Sequence, residues 1–156
     1  MAAGLALYPL LVAFGNLTDY GSNFAFVQHV LSMDTTFPGN KLMYRAITAP
    51  VLQHIAYGLI ILGEAAAGLV LAYGAFALWR ARKGSATEFS AAKAPVLVGC
   101  FIGFLVWFVG FLVIAGEWFA MWQSPGWNGQ EAAFRFVVPI LLVLLFVLQP
   151  EERNHM

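Results

Sequence analysis

Charge is what this sequence has least of. Only 10% of its 156 residues are Asp, Glu, Lys or Arg, while 61% are apolar and the mean hydropathy is +0.77. Ordinary soluble domains carry about 25% charged residues, so this chain cannot cover a soluble surface of its size. What charge there is balances, eight basic against eight acidic residues, which leaves no basic field and excludes nucleic acid as a partner. The single cysteine, Cys100, cannot form an internal disulfide and lies within an apolar run, where it reads as a small buried hydrophobe. There is no Cys-x-x-Cys, no phosphate-binding glycine loop and no nucleophile elbow. Among Asp19, His29, Asp34, His54 and Glu117, which share one side of the expected topology, no two stand at His-x-x-x-His or Glu-x-x-His spacing. Haem ligation by His54 would need a second axial histidine inside the membrane, and there is none. No catalytic residue, metal or cofactor is expected.

Long apolar runs are what the sequence does have. The clearest extends from Ala94 to about Trp122, without a charge from Ala94 through Gly116, and suffices to cross a hydrocarbon core of about 30 Å. At about 100° per residue, Gly99, Gly103, Gly110 and Glu117 fall within roughly 40° on one face. Glycines on one stripe allow another backbone to come close, so a helix-packing seam is predicted there, with Glu117 turned toward the neighbour. A second span runs over residues 50–79, opened by Pro50 in its first turn, and a last span covers 132–149 with Pro139 inside. Residues 2–17 are apolar but short. They are expected to form a genuine first span; a signal-like segment and a longer span that begins upstream are the alternatives. The whole is predicted to be one all-α membrane domain, a four-transmembrane-helix bundle over residues 1–156.

Two connections have distinct textures. Residues 80–93 hold Arg80, Arg82, Lys83 and Lys93, half of all the basic residues, which places that loop in the cytoplasm by the positive-inside rule. Both termini, including the tail with Glu151, Glu152, Arg153 and His155, then lie on the cytoplasmic side. Residues 16–49 are too polar to span and too apolar for a free linker. Phe24, Val27, Val30 and Leu31 recur at helical spacing, so a short amphipathic helix on the outer membrane surface is predicted between spans 1 and 2. Trp118, Trp122 and Trp127 suit an outer aromatic belt.

Polar residues inside the spans are the candidate binding residues. Gln53, Tyr57 and Glu64 lie within about 40° on one face of the second span. Glu64 sits near mid-membrane, where an ionised carboxylate is expensive, and Tyr57 is its expected hydrogen-bond partner. Helical rise puts Glu117 roughly 8 Å and Arg135 about 5 Å below the outer ends of their spans, with His54 about as deep as Glu117. A Glu117–Arg135 ion pair capped by His54 or Gln53 is the plain structural expectation. A polar pocket is the functional one.

The stretches NLTDYGSNFAFVQHVLSMDTTFPGN, YRAITAP, GEAAAG and GEWFAMWQSPGWNGQEAAFRF resemble a bacterial family of predicted small integral membrane proteins of unknown function. The resemblance covers nearly the whole chain and implies four spans in the bacterial inner membrane, with no known activity. The family's motif residues match at Asp19, His29, Asp34, Arg45, Glu64, Glu117, Trp127 and Arg135. Members begin with a longer basic-then-apolar segment than Met1–Gly15. Asp19, His29, Asp34 and Arg45 are candidate contact residues of the outer segment. The leading functional expectation is a non-catalytic subunit or assembly partner of a larger membrane complex, in contact with lipid and other membrane subunits. The rival is a small-molecule or proton carrier built around Glu64, and an intramembrane enzyme comes third.

Overall fold

The structure, a computed structural model, describes residues 1–150. The tail residues Glu151, Glu152, Arg153 and His155 lie outside the described residues. The described residues are helical, with no strand. Helix α1 (Ala2–Thr18) breaks at Asp19, and α2 (Tyr20–Ser32) leaves it at 96°. The long helix α3 (Pro50–Ala81) follows, then a short α4 (Ala86–Ala91). Helix α5 (Ala94–Phe104) continues without a break into a π-helical segment, Leu105–Trp118, and α6 (Gln130–Val147) ends the fold. Three helices, Pro50–Ala81, Ala86–Trp118 and Gln130–Val147, are long and apolar enough to cross a membrane, or four if the bent pair α1–α2 counts as one span.

The four long elements close into a bundle. Helix α1 packs along α3, α3 against α5, α5 and the π segment against α6, and α6 back against α1. Leu10 meets Gly68 while Asn16 meets Glu64, so α1 and α3 run antiparallel. An aromatic stack crosses the core: Tyr8 lies 3.9 Å from Phe136 between ring centroids, and Phe136 lies 4.5 Å from Trp107. One end of the bundle is capped by α2 and the connection that carries Met121–Gln123, packed around Val27, Val30, Leu31, Tyr57 and Phe119. These include three of the four apolar positions that mark the amphipathic helix in the sequence. The other end holds the α3–α5 connection, where a reciprocal Ser85–Glu88 capping box starts α4. Lys93 Nζ donates to the Gln149 carbonyl there at 2.7 Å, tying α5 to the end of α6.

The glycine seam forms in part, and the winding of the helix explains which part. A Cβ on Gly99 would stand 3.0 Å from the Leu71 backbone nitrogen, and one on Gly74 would stand 2.8 Å from that of Val96. Backbones of α3 and α5 therefore approach as only small residues permit. Gly103 instead faces the Ile140 side chain of α6. Gly110 faces no neighbouring element; a Cβ there would meet only the Leu105 carbonyl of its own segment, at 3.6 Å. From Leu105 onward the backbone closes wider turns, seen where Phe119 N–H donates to Ile114 O, five residues back, at 3.0 Å. Each residue then advances by less than the 100° of an α-helix, and the stripe drifts out of phase. Gly116 lands inward against Gln130, and Glu117, the next residue, is exposed.

Candidate functional site, a carboxyl-lined cavity in the bundle

Glu64 lies in the middle of α3, away from either end where its carboxyl could reach water. Its helix turns Gln53, Tyr57 and Glu64 onto one buried face, as the regular 100° step requires. Glu64 is 1% exposed, and its Oε2 accepts a 2.7 Å hydrogen bond from Asn16 Nδ2 on α1. Tyr57 does not reach the carboxyl. Its hydroxyl donates to the Asn16 backbone carbonyl at 3.0 Å, so Asn16 links the two from the opposite helix. Among the described residues no hydrogen bond reaches the second carboxyl oxygen, Oε1.

That carboxyl lines a cavity of about 270 Å³ between α1, α2, α3, the π segment and α6. Asn16, Asn23 and Tyr57 give it further polar atoms, and Phe26, Trp107, Phe111 and Phe136 give it aromatic walls. No Lys, Arg or His side chain lines it. Beside it lies a second cavity of about 210 Å³, bounded by α2, α3 and the π segment. Its lining is entirely apolar, from Val30 and Leu31 to Ile114 and Phe119. The two cavities share four walls, Phe26, Val27, Ile60 and Phe111. The Phe26 and Phe111 rings stand 6.1 Å apart between centroids and form an aromatic waist between the two cavities. The 96° turn after α1 produces this arrangement, because it carries Phe26 and Val27 across the bundle.

Other members of the expected polar pocket lie elsewhere. Gln53 is buried but donates to Ser32 Oγ at 3.0 Å and to the Ile47 carbonyl at 2.8 Å, fastening the capped end to α3. His54 sits one step off the buried face and is exposed; its Nδ1 meets the Tyr20 hydroxyl at 2.8 Å and its ring stacks on Phe24 at 3.9 Å. The expected Glu117–Arg135 pair is not made. Glu117 has drifted outward with the π winding, and Arg135 takes the partner one turn away on its own helix, Glu131 at 2.6 Å. The three groups expected to converge below the outer mouth therefore do not.

The outer-segment residues find neighbours at the capped end. His29 Nδ1 stands 2.9 Å from Asp34, and its ring stacks on Trp127 at 4.5 Å. Arg45 donates to the Trp118 carbonyl at 3.1 Å with its guanidinium over the Trp118 ring. Asp19 marks the α1–α2 corner, where its carbonyl accepts from Asn23 Nδ2 at 3.0 Å. Among the described residues no three His, Cys, Asp or Glu side chains gather as metal ligands. The residue that sequence reasoning missed is Asn16. A lone amide at the end of an apolar stretch was its only signal, and which helix it would face is decided by packing alone.

A profile of the family described as "Predicted small integral membrane protein (DUF2165)" matches residues 1–150, and the chain belongs to that family. No curated protein and no solved structure matches it.

Proposed function

We propose that this small integral membrane protein is a non-catalytic binder that holds a small molecule inside its bundle against Glu64. One observation carries the reading: a buried carboxyl lines a cavity with only one of its oxygens engaged. Membrane proteins seldom bury an acid without a cation beside it, and such acids mark ligand or ion paths. A largely apolar cavity with a few convergent polar groups is also the usual form of a ligand site. Native mass spectrometry of the wild type and of Glu64→Gln, which keeps the shape of the side chain, tests this. The wild type should carry a bound small molecule that the folded variant has lost. Identical spectra would reject the binder.

Assembly with other membrane subunits is the second reading, favoured by the built-up capped end, where Phe37, Tyr44, Trp118 and Trp122 are exposed together. The same spectra would reveal it as co-purifying chains. We place the capped end outside and the Arg80–Lys93 connection in the cytoplasm of a bacterium, with four spans, α1 being the first. The basic connection supports that orientation through the positive-inside rule.

A further inference from the structure

We propose that the ligand is an alkylammonium-type amphiphile, its cationic head against Glu64 in the larger cavity and its apolar chain in the neighbouring one. This rests on the reading of Glu64 as a binding group and adds the chemistry of what it binds.

Three features of the cavities point to a cation with a tail. The first is charge. No basic side chain lines the larger cavity, so among the described residues Glu64 has an amide partner, Asn16, but no cation, and an entering cation would supply one. The second is the aromatic lining. Trp107, Phe111 and Phe26 line the same space, and ring faces attract ammonium groups; Phe136, stacked between Tyr8 and Trp107, adds only apolar wall. Asn16 and Asn23 add amide oxygens as acceptors for N–H groups. The third is the apolar annex. Neither cavity alone, about 270 and about 210 Å³, reaches the usual range of about 300–1,000 Å³ for ligand sites, but joined at the shared waist they fall within it. The annex offers nothing to hydrogen-bond, so only a hydrocarbon chain gains by entering it.

The chain of the ligand can be tested separately from its head, because different residues control the two cavities. Gly110 and Ala56 line the annex and not the larger cavity. A Cβ on Gly110 meets only its own segment, so Gly110→Leu fills the annex from the π segment, and Ala56→Leu fills it from α3. The experiment measures equilibrium binding of butylammonium and octylammonium to the full chain in lipid nanodiscs, with empty nanodiscs subtracted. Four additional methylenes should make octylammonium about 200-fold tighter than butylammonium. Glu64→Gln should weaken both at least about tenfold. Gly110→Leu and Ala56→Leu should leave butylammonium unchanged and remove most of the octylammonium advantage; two variants guard against one that fails to fold.

If octylammonium binds no more tightly than butylammonium, or if both filling variants leave its affinity unchanged, the two-cavity ligand is wrong while Glu64 binding stands. If Glu64→Gln leaves butylammonium binding unaltered, Glu64 is not a binding group and both proposals fall.

Discussion

At the scale of single residues, the hydrogen bond from Asn16 to Glu64 is the contact that defines the cavity wall. Asn16→Ala removes the amide and leaves a buried carboxyl unsatisfied, which should cost about 1–3 kcal/mol of stability. The cost should shrink in the Glu64→Leu background, giving a coupling of at least about 0.5 kcal/mol in a double-mutant cycle read by unfolding in detergent. Glu117 and Arg135 should behave in the opposite way. Their side chains are exposed and Arg135 is engaged by Glu131, so Glu117→Gln and Arg135→Gln should add within about 0.5 kcal/mol. The sequence showed Gln53, Tyr57 and Glu64 as one stripe because α3 is a regular helix and the 100° step holds along it. It did not show Asn16 as the carboxyl's partner, since that contact is between helices 48 residues apart in the chain. Nor did it show His54 outside the pocket, which depends on Tyr20 and Phe24 arriving on α2.

At the scale of elements, the lesson comes from the π segment. The three long apolar helices, the helical period of α2 and the start of α3 at Pro50 were legible from hydropathy and periodicity, because each depends on local pattern. The inward face beyond Leu105 was not. A helical wheel assumes one angular step throughout, and the change of winding at Leu105 shifts every later residue. A substitution pair reads this directly. Gly99→Leu drives a side chain into the α3 backbone at Leu71 and should lower stability by about 1–3 kcal/mol or more. Gly110→Leu, on the same stripe of an ideal α-helix, should cost less than about 1 kcal/mol because its side chain enters the annex. Thermal unfolding in detergent separates the two; equal losses would mean that the α-helical phase persists past Leu105.

At the scale of the whole molecule, the bundle has two unlike ends, and the charge bias between them fixes the expected orientation. In a Cys100→Ala background, an impermeant thiol reagent added outside intact cells should label Asn40→Cys and Pro125→Cys and leave Ser85→Cys untouched. Labelling of Ser85→Cys from outside would invert the topology. Between these ends, binding rests on Glu64 facing a space that a cation can enter. Carbon NMR of the protein with ¹³C-labelled glutamate carboxyls, held in nanodiscs, observes that group itself. The Glu64 signal is assigned by its loss in Glu64→Gln. On addition of octylammonium it should move in a saturable way, while the signals of the exposed Glu88, Glu117 and Glu131 stay in place. A Glu64 signal that does not move under saturating octylammonium would contradict the assignment of this carboxyl as the binding group.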